Sequence, residues 1–206
     1  MSITLYYHPL SSYCQKAIIG LYELGVPFAK RTVDLGDAAE RAAFLAIAPI
    51  GKFPVIVDHA DGDRAIPEST ILLEHVDAAG RLFPSLAARA GDRFWDLHVH
   101  HHTQLIVGDR LRPADARDPF GVAHARAKLE TAFDLAETAL RDHGWAAGDD
   151  FTIADCAAAP ALFFTQKLVP FGARRHLAAY YDRLRARPSV ARTFDEAAPY
   201  LAMFPG

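Results

Sequence analysis

After Ile66 the chain contains no further segment that reads as a strand. Before that point strand-like and helix-like stretches alternate, and beyond it the apolar residues recur at helical spacing. The switch restricts the 206 residues to a small mixed α/β unit followed by an all-helical unit, which is two domains. Strands are predicted over Ile3 to Tyr7, Phe28 to Val33, Pro54 to Val57 and Arg64 to Ile66. Cys14, Ala17, Ile18, Leu21 and Leu24 mark a helix that Gly25-Val26-Pro27 stops. Ala38 to Ile47 is a second helix, and a third runs from Glu68 to near Ala79. The order is βαβαββα with a mixed four-stranded sheet, and Asp61-Gly62-Asp63 turns a hairpin. Gly80-Arg81-Leu82-Phe83-Pro84 is the linker, and helices over 86–111, 117–143, 153–168, 174–186 and 189–197 complete the chain. The expected domains are 1–80 and 86–206.

Composition narrows the function. Hydrophobic residues make up 51%, enough for a sizeable core, and a net charge of −3 gives no electrostatic case for nucleic acid or an anionic membrane. No apolar run approaches the ~20 residues of a membrane span. The opening Met1-Ser2-Ile3-Thr4-Leu5 lacks the basic start and apolar stretch of a signal peptide, so a cytoplasmic location is expected. Two cysteines, Cys14 and Cys156, are too few for a disulfide framework or a thiolate metal site.

Ser11 and Ser12 stand where the first helix begins. Ser12-Tyr13-Cys14-Gln15 fits the capping box S-x-x-[EQ], with Ser12 as the N-cap. That assignment occupies Ser12 with its own helix and leaves Ser11 free to face a ligand. Cys14 lies on the apolar stripe and reads as a buried small hydrophobe. Thr152 and Asp155 also have capping-box spacing, with Phe151 and Cys156 at the staple positions, which is a structural role. In His98-Val99-His100-His101-His102 a helical wheel groups His98 and His102 with Trp95, Val99, Leu105 and Ile106. The i, i+4 histidine pair has metal-ligand spacing. No acidic or cysteine partner completes the set on that face, so no metal is expected, and the histidines read as polar residues beside a cleft or subunit interface. Phe120, Phe163, Tyr200 and Phe204 are candidates for an apolar pocket or for core.

Four signatures in order carry a resemblance: Leu5-Tyr6-Tyr7-His8-Pro9-Leu10-Ser11, Gly51-Lys52-Phe53-Pro54-Val55, Pro67-Glu68-Ser69 and Phe151-Thr152-Ile153-Ala154-Asp155. Over nearly its whole length the chain resembles the cytosolic glutathione transferases, and its early serine resembles the serine-type, theta- or zeta-like and bacterial members. Tyr13-Cys14-Gln15-Lys16 departs from the zeta signature. The resemblance implies a thioredoxin-like first domain that holds glutathione as co-substrate and a helical second domain that holds a small apolar electrophile. It also implies a homodimer in which each first domain packs on the partner's second domain.

The implied chemistry is thiol activation. A free thiol with a pKa near ~8.5 is only ~3% ionised at pH 7, and lowering it by two units requires about 2.7 kcal/mol of preferential thiolate stabilisation. A hydroxyl at a helix N-terminus supplies this through a hydrogen bond and the helix dipole. The resemblance assigns that task to Ser11. Tyr7 is the alternative, because tyrosine-type members use a phenol near the end of the first strand. By the same resemblance the Phe53–Pro54 bond is cis, the Phe53 backbone pairs with the cysteinyl residue of glutathione, and Lys52 meets a carboxylate. Glu68 takes the γ-glutamyl ammonium, and Ser69 with the helix amides takes the γ-glutamyl carboxylate. A glutathione-dependent isomerase or dehalogenase, or a non-catalytic binding or regulatory protein, stays open on the same fold.

Overall fold

The computed structural model describes residues 2–205; Met1 and Gly206, the outer ends of the expected ranges, lie outside them. Strands β1 (Ile3–Tyr7), β2 (Ala29–Thr32), β3 (Val55–Asp58) and β4 (Arg64–Pro67) form one sheet in the order β2-β1-β3-β4. β1 runs parallel to β2, while β3 is antiparallel to both β1 and β4. This is the expected mixed sheet. β3 is buried along its length, which is why Val55-Ile56-Val57 shows no polar alternation.

Helix α1 (Ser12–Leu24) ends where Gly25 adopts φ 67°, and the Gly25 amide closes onto the Leu21 and Tyr22 carbonyls. Helix α2 (Ala38–Ile47) is capped by the Asp37 carboxylate, and α3 spans Ser69–Val76. The expected linker is not loose. The Asp77 carboxylate accepts from the Arg81 and Leu82 amides at 2.9 and 2.8 Å, and the Leu82 carbonyl accepts from Ile153 at 2.9 Å.

The helical unit comprises α4 (Leu86–Phe94), a π-helical segment (Trp95–His100), α5 (His101–Arg110), α6 (Pro119–Ala139), α7 (Ile153–Thr165), α8 (Arg175–Ala186) and α9 (Pro188–Ala197). The continuous helix expected over 86–111 is therefore interrupted, and that expected over 117–143 stops at Ala139. At the start of α7 the box between Thr152 and Asp155 forms in both directions. Asp155 further accepts from the Ala146 amide at 2.8 Å and the Tyr180 hydroxyl at 2.6 Å.

The apolar core crosses from one unit to the other. A single cluster runs from Leu5 and Ile56 of the sheet through Ile18 and Leu21 of α1 to Ala157 and Leu162 of α7. Helix α1 packs against α3 on one side and α7 on the other. A Cβ on Gly20 would meet the Leu73 side chain at 2.5 Å, so α1 and α3 need the missing side chain there to approach. A second, smaller cluster around Val33, Phe44 and Val55 fills the opposite face of the sheet beneath α2.

Within the larger core lies a charge. Lys16 is only 1% exposed, and its ammonium meets Asp92 Oδ1 at 2.5 Å, Asp96 Oδ2 at 2.7 Å and Thr70 Oγ1 at 2.9 Å. These contacts tie α1 to α3, to α4 and to the π segment. A second tie joins Glu23 of α1 to Arg187 ahead of α9 through two hydrogen bonds of 2.7 and 2.6 Å. Lys16→Met strands two buried carboxylates without their cation, and it should lower unfolding stability by about 3–5 kcal/mol in urea titrations. A loss below about 1 kcal/mol, the level of an exposed pair, would show that the network does not hold the two units together.

Candidate functional site

The site begins where β1 hands the chain to α1. Residues 8–11 make the turn, the Ser11 amide donates to the His8 carbonyl at 3.0 Å, and α1 starts at Ser12. β3 lies beside β1 with Tyr6 opposite Val55, and Val55 in turn pairs with Pro67 of β4. Continued by one residue, this register sets Pro54 between Tyr7 and Glu68. Three of the four signatures thus meet at one end of the sheet. The Phe53–Pro54 peptide is cis, as expected.

The capping role expected of Ser12 falls to Ser11. Ser11 is the N-cap, with φ −78° and ψ 114°, and its Oγ accepts from the Cys14 amide at 3.4 Å. Ser12 does not cap: its buried Oγ lies 2.6 Å from His100 Nε2 and 3.1 Å from Nδ1, across to the helical unit. Gln15, the other half of the expected box, donates to the Pro9 carbonyl at 2.9 Å instead. The cap uses one acceptor lone pair of Ser11, and a hydroxyl also carries a donor.

A cleft of about 440 Å³ opens between the units. One wall carries Ser11, Ser12, Lys52 and Phe53, and the other carries His100, Gln104, Val107 and Phe164. Met203, Phe204 and Pro205 close one end, with the Phe204 ring against Phe164 at 5.1 Å and the Pro205 carbonyl accepting from Arg110 at 3.0 Å. Of the aromatic candidates, Phe204 lines the cleft, whereas Phe120 is 84% exposed and Phe163 packs against Phe194 at 4.3 Å. Tyr200 meets His8 edge-on at 6.2 Å, and His8 stacks on Phe53 at 6.3 Å. Burial pushes the His8 imidazole down despite Asp34 nearby, and its Nδ1 accepts from the Leu10 amide at 3.2 Å.

Tyr7 packs its ring on the larger core and does not line the cleft. Pro54 is buried, with Lys52 exposed and Phe53 half-buried beside it. Glu68 and Ser69 lie past this segment, outside the cleft wall. Glu68 precedes α3 rather than belonging to its first turn, and it holds φ 71° with ψ 119°, a left-handed region that a side chain disfavours. Its carboxylate makes no cap bond to the helix, and Ser69 opens α3.

Cys14 is fully buried, and burial pushes its thiol up to about 12, so it stays protonated and packs as the expected small hydrophobe. The histidine run is rotated from its expected placement. His98 is exposed and His102 half-buried, whereas His100 is buried. A π turn spends an extra residue and shifts the register of every side chain after it. Among the described residues no group of three or more His, Cys, Asp or Glu side chains has metal-binding geometry. Sequence reasoning missed Lys16, and within the histidine run it singled out His98 and His102 rather than His100. The available signal for Lys16 was Asp92 and Asp96, four residues apart around the apolar pair Phe94-Trp95.

A thioredoxin-like sheet whose first helix begins in a cleft shared with a helical unit defines a two-part, cleft-bearing protein of the thioredoxin-like class. Comparison with known proteins is more specific. Residues 5–81 match the family model "Glutathione S-transferase, N-terminal domain", and residues 119–183 match "Glutathione S-transferase, C-terminal domain". Glutathione S-transferase 3 of Zea mays is 30% identical over 208 residues, covering 93% of this chain and 92% of that protein. The disulfide-bond oxidoreductase YfcG of Escherichia coli (strain K12) is 25% identical, covering 95% of both. Among solved structures, a glutathione S-transferase from Methylobacterium radiotolerans in complex with glutathione sulfonate superposes with a TM-score of 0.81 at 28% identity, covering 94% of each chain. The chain belongs to the glutathione S-transferase family.

Proposed function

We propose that this chain is a glutathione transferase that holds glutathione at the end of the sheet and activates its thiol through Ser11. The observation that carries the reading is the Ser11 hydroxyl, half-buried on the cleft wall at the N-terminus of a 13-residue helix. A sulfur beside it gains a hydrogen bond and the positive end of the helix dipole, which together favour thiolate. The opposite wall offers Val107 and Phe164 as apolar surface to an electrophile, beside the polar His100, Thr103 and Gln104. Bound side by side, the two substrates react with the advantage of proximity, and the thiolate is the nucleophile.

In this reading residues 1–80 bind glutathione and 86–206 bind the electrophile. The Phe53 backbone, next to Pro54, pairs with the cysteinyl residue, and Lys52 meets a carboxylate. Glu68 takes the γ-glutamyl ammonium, and Ser69 with the first amides of α3 takes the γ-glutamyl carboxylate. Support comes from Glu68 itself: holding a non-glycine residue at φ 71° costs of order 1–3 kcal/mol, a strain that clusters at ligand-binding positions. The deep burial of Cys14 disfavours a dithiol redox role for the protein's own cysteines. Both free thiols suit a reducing, cytoplasmic compartment. Detoxification of reactive electrophiles is the matching role. A homodimer is part of the proposal, since two-fold pairing is the commonest assembly of such chains.

Three outcomes follow. Ser11→Ala should lower the conjugation rate by roughly 10²-fold and raise the pKa of bound glutathione, read from thiolate absorbance against pH, while Tyr7→Phe leaves both near wild type; the reverse pattern would make this a tyrosine-type site. Glu68→Ala and Ser69→Ala should each weaken glutathione by roughly tenfold or more in calorimetry, as losing a charge-assisted bond costs ~1.5–3 kcal/mol, and unchanged affinity in both would remove the anchor. Light scattering at micromolar concentration should give the mass of two chains, and a monomer mass would contradict the dimer.

A further inference from the structure

The N-terminus of α1 is held from outside its own helix. Its cap bond, from the Cys14 amide to Ser11, is long at 3.4 Å, whereas the neighbouring Ser12 hydroxyl makes a 2.6 Å contact with a residue 88 positions away. That residue, His100, closes the π segment and is 4% exposed. The Tyr13 ring meets it edge-on at 4.4 Å. Lys16 stands nearby, but its ammonium is engaged by Asp92, Asp96 and Thr70. Among the described residues Ser12 is the hydrogen-bond partner of the imidazole. Both residues reach the wall of the cleft that Ser11 lines.

We propose that His100, contributed by the helical unit, is a positioning residue for sulfur activation: through Ser12 it fixes the first turn of α1, so that the Ser11 hydroxyl and the free amides behind it aim at the thiol. The inference rests on the proposed glutathione site. The alternative role, in which His100 is the base that takes the thiol proton, fails on proton affinity. Burial, with Lys16 and His101 adding to it, holds the imidazole down to about 3, far below a free thiol at ~8.5. His100 stays neutral and acts by hydrogen bonding. A displacement of the first turn by a fraction of an ångström is enough to matter, because a donor acts only over a narrow range of distance and angle.

The test uses the full-length protein with glutathione and chlorodinitrobenzene. His100→Leu should raise the pKa of bound glutathione by about half a unit to one unit, and lower kcat about tenfold with the KM for glutathione within about twofold of wild type. His100→Gln, which keeps a donor and an acceptor, should recover most of both. Ser12→Ala should reproduce His100→Leu, and the double variant should be no worse than either single, since the two act as one unit. A folded His100→Leu with wild-type thiolate pKa, or additive losses in the double variant, overturns the proposal. If His100→Leu does not fold, Ser12→Ala decides alone: an unshifted thiolate pKa overturns the proposal and a shifted one upholds it. Failure of the underlying site would look different, as wild-type protein would then bind no glutathione.

Discussion

The ammonium of Lys16 is the point from which the geometry of this protein is set. It sits on α1, one turn beyond the serines, and its contacts are with α3, α4 and the π segment. Burying an ammonium and two carboxylates carries a desolvation cost of several kcal/mol per ion, which only close and well-directed pairing offsets. Burial pushes the Asp96 carboxyl up, and Lys16 opposes that shift from 2.7 Å. The same cation therefore keeps two acids compatible with the interior and holds α1 in one position relative to the helical unit. That position bears on the cleft: one wall is the start of α1, and the other begins at His100, in the π segment that Lys16 anchors through Asp96.

What was legible in the sequence was what local periodicity controls. The change from strand to helix spacing after Ile66 gave the order of elements, and three of the four short signatures gave the end of the sheet where the site lies. Ser11, Lys52 and Phe53 do share the cleft, while Glu68 and Ser69 lie just beyond it. The misreadings arise from tertiary contacts and backbone conformation, neither of which local spacing encodes. The motif beginning at Ser12 has capping-box spacing, yet Ser12 turns to His100 and Gln15 to Pro9. Lysine is the residue least expected inside, so Lys16 stayed invisible until its two acids stood beside it. Glu68 looked like a first-turn residue because its strained φ cannot be read from residue type.

The π segment links these points. A regular helix through 95–102 would have turned His98 and His102 inward; with the extra residue per turn, His100 takes the interior position and faces Ser12. The same segment carries Asp96 to Lys16. One local irregularity therefore delivers both the charge that anchors α1 and the imidazole that meets its first turn.

The core that crosses between the two units has a consequence for how the protein is made. The strands and α1 leave the ribosome before the helical unit, and one flank of α1 is covered by α7, which follows about 130 residues later. At synthesis rates of about 5–20 residues per second, the apolar side of α1 stays uncovered for roughly 6 to 26 seconds. Lys16 is in the same condition until Asp92 and Asp96 have been added, and during that interval its charge is solvated rather than buried. The nascent α/β unit thus carries a hydrated lysine on α1, which is paired by its acids before α7 is made to cover the apolar flank.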